Sequence, residues 1–409
     1  MTLSVKSENR TIQRHPPIVI AGAGPVGLYA AVLLVNAGHR VIVLEKNHDL
    51  PLDMRASTFH PSTLDLLGAC GLADPLIFRG SIMQGWQYMI HGTKNHAVFD
   101  LECIRDATDH PFRLICEQYH FSNLAVEQLV RNPLFEIRFG HEIVSLENRQ
   151  DRALLRLQTS TGEQEIETPW LIAADGGHST VRGQLGLSFE HQSPPVTSIS
   201  LVLNHPFEND VPGILGVNFV WTQNGFYSLR QIRDLWRFSY QPDPDLPIGE
   251  AVSEAATQSY LQALFPSLEP YEIQHRLHYT IQPGCLSSFR QGRVLFAGDA
   301  AHLESPAGGL GMNSGMHDAH CLVEHLLPVL DGADDDLLDR YSRRRRTIAI
   351  EEVQRLSARE ERWRRETSPV KRAAIWQELL EIVSDDAKTR EFLLDLSLIR
   401  SRQREADID

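Results

Sequence analysis

The run Ile18-Val19-Ile20-Ala21-Gly22-Ala23-Gly24-Pro25-Val26-Gly27-Leu28 decides the fold of this 409-residue chain. Ile18 to Ala21 reads as a strand buried on both faces, as parallel strands are. The apolar pattern then resumes from Val26 to Ala37 at helical length and stops at Gly38, where the left-handed residue after a helix belongs. Between strand and helix, Gly22, Gly24 and Gly27 fall at G-x-G-x-x-G. The first permits a tight turn, the second lets a pyrophosphate approach the backbone, and the third lets helix and strand pack closely. The helix N-terminus adds free N–H groups and partial positive charge for phosphates, and Pro25 and Val26 open it. A second predicted strand, Arg40 to Leu44, carries Glu45 to the place where a carboxylate accepts hydrogen bonds from a ribose. In a chain with 27 glycines the spacing alone says little; strand, helix and acid together make a dinucleotide site. FAD and NAD share the ADP half, so this stretch leaves both open.

Composition sets the bounds. The length suits two or three domains, and 42% apolar with 22% charged residues is ordinary for a globular protein. A net charge of −14 argues against nucleic-acid binding, which needs a basic stripe. The basic block Arg343 to Arg346 sits on a predicted helix and reads as a solvated, ion-paired face. Cys70, Cys103, Cys116, Cys285 and Cys321 show no paired spacing, which suits reduced thiols and a cytoplasmic location. Met1 to Pro16 lacks an apolar core, and no run approaches the ~20 apolar residues of a spanning helix, so no membrane partner is expected.

Further along, Arg55 follows a strand end that faces the dinucleotide, and His60 lies in the next loop before a short helix, Ser62 to Leu67. Gln118 precedes a predicted helix over Phe121 to Val130, and alternation from Phe135 to Ile166 suggests a meander turning at Thr161-Gly162. A second buried strand, Trp170 to Ala174, runs into Asp175-Gly176-Gly177; a third, Arg293 to Ala297, runs into Gly298-Asp299. Acids at the carboxyl ends of parallel strands lie where open sheets collect ligands. Between Gly186 and Leu286, Pro-rich turns separate strand-like runs at Val196 to Leu203, Gly216 to Trp221, Phe226 to Ile232 and Leu235 to Tyr240, which predicts an inserted, mainly antiparallel domain. After the glycines at 308, 309 and 311 come a helix from Met316 to Leu327, a long charged helix from Leu337 to Arg365, and one or two more between Val370 and Arg404. Three strand-to-turn elements of one kind predict a single extended ligand.

Taken together, Gly22 to Gly27, Asp175-Gly176 with Ser179, Val181 and Arg182, and Gly298-Asp299-Ala300-Ala301-His302 with Pro306 and Gly308 to Asn313 resemble the three fingerprints of the single-component flavoprotein aromatic hydroxylases, the group of para-hydroxybenzoate hydroxylase and 3-(3-hydroxyphenyl)propionate hydroxylase. The resemblance spans roughly residues 15 to 345. It implies an α/β fold: a Rossmann-like FAD-binding domain over 15–184 and 282–365, an inserted antiparallel substrate domain over 185–281, and a C-terminal helical segment over 366–409. It implies FAD as cofactor, NADH or NADPH as transient co-substrate, and dioxygen. Oxygen then passes from a flavin C4a-hydroperoxide to a small phenolic or amino-aromatic substrate. Carried over residue by residue, Glu45 binds the adenosine ribose, Arg55 and Gln118 the ribityl and pyrophosphate region, Asp175 the FAD and NAD(P)H approach, and Asp299 the ribityl chain. Pro306, Gly309, Gly311, Met312 and Asn313 wrap the flavin ring, aiming fixed N–H dipoles at its developing charge. Arg55, His60, Pro306 and Arg230 are the residues expected nearest the chemistry, and the expected assembly is a monomer or homodimer.

The sequence also departs from relatives. It lacks a second strand-linked G-x-G-x-x-G and the W-x-W-x-I-P run of flavin halogenases, no thioredoxin-like C-terminal domain is expected, and Ser62 stands where many relatives carry arginine. Substrate candidates in the inserted sheet are Trp221, Tyr227, Arg230, Trp236, Phe238 and Tyr240, of which one alternating set must face the flavin; Arg230 suits a substrate carboxylate. His317 and His320 share a helix with Asp318 between them, but a flavin enzyme needs no metal, and none is expected. Other flavoenzyme reactions (epoxidation, oxidative decarboxylation, ring-substituent removal), a flavin-free dehydrogenase and a flavin-binding protein without turnover are the alternatives.

Overall fold

The computed structural model describes residues 16–52, 56–191, 193–223 and 225–409; Arg55 lies outside them. Ile18–Ala21 is buried along its length and pairs in parallel with Val41–Glu45 on one side and Leu171–Ala173 on the other. Phe135–Phe139 and Val294–Phe296 extend the sheet in parallel at its two ends, and Arg290–Gln291 adds a short antiparallel edge. Helix Pro25–Asn36 begins on a proline, whose missing N–H costs nothing in a first turn. It ends before Gly38, which takes φ +90°. The close approach predicted for Gly27 is real: a Cβ there would lie 2.2 Å from the Gly22 carbonyl oxygen.

A seven-stranded sheet forms the other half, in the order Ile273–Ile281, Val196–Leu203, Leu235–Tyr240, Phe226–Ile232, Val217–Trp221, Gly85–Ile90 and His96–Asp100. It is antiparallel except where Val217–Trp221 runs parallel to Gly85–Ile90. The sheet therefore reaches beyond 185–281 and draws two strands from the first part of the chain. Alternation gives it two faces. Tyr227, Leu229, Trp236, Phe238 and Tyr240 pack on one against Phe207, Phe265 and helix Glu254–Leu264; Trp86, Tyr88, Val217, Phe219 and Trp221 lie on the other.

Several details differ from expectation for identifiable reasons. Phe135–Phe139 leaves the meander to edge the parallel sheet, so the meander proper is Glu142–Asn148, Ala153–Thr159 and Gly162–Thr168. The charged helix runs from Asp336 to Arg365 through a π-turn at Ala349–Gln354. Beyond it stand three helices, Pro369–Val383, Asp386–Leu396 and Ile399–Ala406, because Asp385 accepts hydrogen bonds from the Ala387 and Lys388 amides and so starts one of them, and Leu398 at φ +58° separates the last two. Phe392 stacks on Phe99 at 4.6 Å and lies beside Trp363, which fixes these helices to the large sheet. The basic block is not a solvated face throughout: Arg345 is fully buried and pairs with Asp318 at 2.6 Å and Glu405 at 2.5 Å. Arg343 and Arg344 instead donate to C-terminal backbone carbonyls.

Candidate functional site

A cavity of about 480 Å³ lies along the carboxyl edge of the parallel sheet, within the usual range for ligand sites. Gly22, Gly24, Pro25 and Val26 line it from the first turn, with Glu45 beyond them at the end of the next strand. Asp175, Gly176 and Gly177 line it from the second turn and Asp299 from the third. Gln118, the first residue of helix Gln118–Leu129, borders it with Ser122. Pro306, Gly309, Gly311 and Met312 form the far end, where Arg230 and Tyr279 of the large sheet close over the space. The turns carrying Gly24, Asp175 and Asp299 thus converge on one elongated cleft.

The backbone of this cleft fits a dinucleotide. Gly22 has φ +98°, and a Cβ there would lie 2.5 Å from the Ala174 carbonyl oxygen, so the turn accepts only glycine. Gly24 has nothing within 4 Å of where its Cβ would be, which leaves its backbone open to a ligand. Glu45 is buried and held: Oε2 accepts the Ala23 N–H at 3.0 Å, and Oε1 accepts the Asn47 backbone and side-chain N–H groups at 3.0 and 2.7 Å. Asp175 accepts from Ser179 Oγ at 2.6 Å and from the Val181 N–H at 3.1 Å, so its carboxylate anchors helix Thr180–Gln184; burial pushes its pKa up against these bonds. Arg182 joins two of the turns by donating to the carbonyls of Gly177 and Ala300.

Three predicted residues lie behind the cleft. Gly27 is packed beneath the first turn. Asn313 is fully buried: its Oδ1 accepts the His60 N–H at 2.9 Å, and its Nδ2 donates to Thr58 and Gly309 carbonyls at 2.8 and 2.9 Å. His60, expected near the chemistry, does not line the cleft. It is fully buried, with Nε2 3.1 Å from both the Gly308 and Gly309 carbonyl oxygens. Burial and then the nearby Arg113 charge pull its pKa down to about 3, so the neutral ring donates Nε2–H to a turn whose two glycines take φ +85° and +69°. His60 is therefore a positioning residue.

Sequence reading gave Asp318 no role beyond its place between His317 and His320, and the structure gives it one. Its Oδ2 accepts the Gly298 N–H at 2.9 Å and lies 2.7 Å from His302 Nε2, while Oδ1 accepts from Arg345. His302 Nδ1 in turn lies 3.0 Å from Glu304. Burial disfavours charge on His302, but Asp318 and Glu304 outweigh it and raise its pKa well above the ordinary value. The Asp299 turn thus rests on a buried chain of alternating charges. Its only sequence signal was a lone aspartate in the helix that follows the glycine turn. His317 and His320 diverge, His317 to Thr63 and His320 to Tyr29, at 3.1 Å each. Ser62 donates to the Ser397 carbonyl at 2.6 Å.

On the large sheet, the face turned to the cleft carries Ser228, Arg230 and Arg237 beside the apolar Val217 and Phe219. Of the six candidates there, Arg230 lines the cleft, whereas Tyr227, Trp236, Phe238 and Tyr240 point into the opposite core. Trp221 shares the inner face but donates to the Trp363 carbonyl under the C-terminal helices. Arg237, beside Arg230, donates to Ser57 at 3.1 Å.

The sequence matches the FAD binding domain family over residues 16–356. The chain belongs to that family. Its relatives include the para-nitrophenol 4-monooxygenase of a Pseudomonas species, 31% identical over 94% of this chain and 96% of the relative. The 6-hydroxy-3-succinoylpyridine 3-monooxygenase of Pseudomonas putida is 31% identical over 82% and 86%. The crystal structure of p-nitrophenol 4-monooxygenase from Pseudomonas putida superimposes with a TM-score of 0.88 at 31% identity, covering 95% of this chain and 99% of that one. The protein is accordingly an FAD-dependent monooxygenase of the aromatic hydroxylase type, and its α/β fold, with helices following the sheets, is that of this flavoprotein family. Among the described residues, no helix is long and apolar enough to cross a membrane.

Proposed function

We propose that this flavoprotein takes reducing equivalents from NADH or NADPH and hydroxylates a small phenolic or amino-aromatic compound. The observation that carries the reading is the junction at the far end of the cleft, where the Pro306 to Met312 turn meets Arg230 of the large sheet. Bound FAD supplies hydride acceptance and oxygen activation. The chain's own part is placement. Glu45 receives the ribose hydroxyls, Gln118 flanks the phosphates, Asp175 stands by the nucleotide approach, and Asp299 holds the ribityl chain. Helix Gly311–Leu330 begins at the ring end, and its unsatisfied first amides favour negative charge there. The substrate ring lies between this turn and the inner face of the large sheet, which shields it from water.

The test is direct. The purified protein should absorb near ~450 nm, and NADH or NADPH consumption should rise when the right phenol, aminobenzoate or hydroxypyridine is added, with one oxygen atom recovered in the product. Steady NAD(P)H oxidation indifferent to every aromatic tested, or products lacking a new hydroxyl, would end this reading and favour a different flavin reaction.

A further inference from the structure

Glu304 stands in the wall of the cleft between the Asp299 turn and the Pro306 turn, with Leu303 before it and Ser305 after it. It is buried, 5% exposed. One carboxylate oxygen, Oε2, lies 3.0 Å from His302 Nδ1. The other, Oε1, is buried with no hydrogen-bond partner among the described residues. It points at Gly311, the first residue of helix Gly311–Leu330: a Cβ on Gly311 would lie 3.1 Å from it. The helix makes its first backbone bond from the Ser314 N–H to the Leu310 carbonyl, so the amides of residues 311–313 have no acceptor within the helix. Other charged or titratable groups around Glu304 are few. Asp318 of the same helix lies behind His302, and Cys285, on the strand paired with His302, has its thiol pushed up to about 11 by burial above all. Glu361 of helix Arg355–Arg365 is held one residue away, where it accepts from Ser305 Oγ at 2.9 Å.

A buried carboxylate oxygen left without a donor is unfavourable on stability grounds alone and calls for another reason to be there. Its neighbour supplies one. The start of a helix carries roughly half a positive charge, and here it is aimed at the end of the cleft where the ring is expected. Hydride from NAD(P)H brings two electrons and one proton, so the ring gains a negative charge unless it takes a second proton from water. The free amides favour that charge and Glu304 disfavours it. A full charge outweighs a half charge at similar range, and protonated His302 returns part of the difference, so the two influences nearly cancel.

We propose that Glu304 sets the reduction potential of the bound flavin, its carboxylate offsetting the positive end of helix Gly311–Leu330 so that the reduced ring gains little from the helix. Glu304 acts across Gly311 through space and is not a catalytic residue. The inference rests on the reading that FAD lies with its ring at the Pro306 to Met312 turn.

The experiment measures the midpoint potential of the FAD-loaded enzyme at neutral pH, reduced slowly by xanthine and xanthine oxidase against a reference dye, beside free FAD in the same buffer. The unaltered enzyme should lie within ~30 mV of free FAD, a tenfold span in the two-electron equilibrium. Glu304→Gln should raise the potential by ~30 mV, again about tenfold. The spectrum of the reduced variant followed against pH should show the ring losing its proton about one pH unit lower, the same tenfold change. His302 keeps Asp318, the larger of the two influences that hold it protonated, so its charge persists in the variant. Glu304→Asp retains the negative charge and should keep most of the parental potential. If Glu304 only braces His302, Glu304→Gln melts earlier and holds FAD less tightly while the potential of its bound flavin stays put or falls, which overturns the proposal. So does an unaltered enzyme more than about 60 mV above free FAD, a 100-fold preference for the reduced ring; that comparison needs no variant to fold. Normal hydroxylation with an unmoved potential removes this inference alone, whereas a flavin that NAD(P)H cannot reduce strikes the monooxygenase reading itself.

Discussion

One wall of the cleft is made of backbone and the other of side chains. On the first, Gly22, Gly176 and Gly309 line the cleft with positive φ, so the ligand meets main chain there and the positions tolerate little but glycine. On the second, the inner face of the large sheet offers Ser228, Arg230 and Arg237, while the residues between them face a dry aromatic core. A backbone wall suits what every member of a cofactor-sharing family must hold in common. A side-chain wall can be rewritten by substitution without disturbing the turns opposite, which is how one flavin scaffold accommodates different rings.

The sharpest way to break the backbone wall is to act beneath it. Asp318 balances His302 and Arg345 and also holds the Gly298 amide. Asp318→Asn leaves both cations with one remaining acid each, Glu304 and Glu405, in a buried setting. The expected cost is roughly 3–5 kcal/mol of stability, with weaker FAD retention because the Asp299 turn loses its anchor. Thermal unfolding and the fraction of flavin surviving gel filtration check it, and an unchanged melting temperature would show that the charge chain bears no weight.

Asp318 also marks the limit of what was legible in the sequence. The glycine turns, the strand before each and the acids after them could be read because each constraint acts within about ten residues. The strands Val196–Leu203 and Phe226–Ile232 were legible for the same reason, as period-two runs between prolines and glycines. The face each strand turns inward was not legible, since it follows from pairing with partners such as Gly85–Ile90, more than a hundred residues away. His60 shows the same limit: its position after Arg55 suggested chemistry, and only the packing of Gly308 and Gly309 above it reveals a brace.

A smaller effect separates bracing histidines from charged ones. His60 titrates near pH 6.5 when unfolded but near 3 when folded, so between these values the unfolded chain binds the extra proton and stability falls as pH drops through the window. His317, depressed by burial and then by Arg345, acts in the same sense. His302 is opposite: held protonated in the fold, its contribution is complete at low pH and fades only as pH rises through its raised value. Melting temperatures from pH 4 to 8 should therefore decline on the acid side. His60→Gln should flatten that decline, by up to ~1.4 kcal/mol for each pH unit. An acid limb of unchanged slope in the variant would mean that His60 is protonated in the fold.

The gentlest test compares the walls directly. Asp299 is exposed at the third turn and lines the cleft, so its side chain bears little on the core. Asp299→Ala should shift stability by no more than about 0.5 kcal/mol, as surface changes do. FAD affinity should fall about 10- to 100-fold, the worth of one hydrogen bond to a charged group. Aromatic-ligand affinity of the flavin-saturated variant should stay within about twofold of the parent, because Arg230 and the sheet face around it stand on the other wall. Thermal unfolding gives the first number, flavin titration of the apoprotein the second, and ligand titration at saturating FAD the third. A variant that keeps its flavin and turns over normally would remove Asp299 from the cofactor contacts, and one that loses aromatic-ligand affinity in step with FAD affinity would show that the two walls do not act independently.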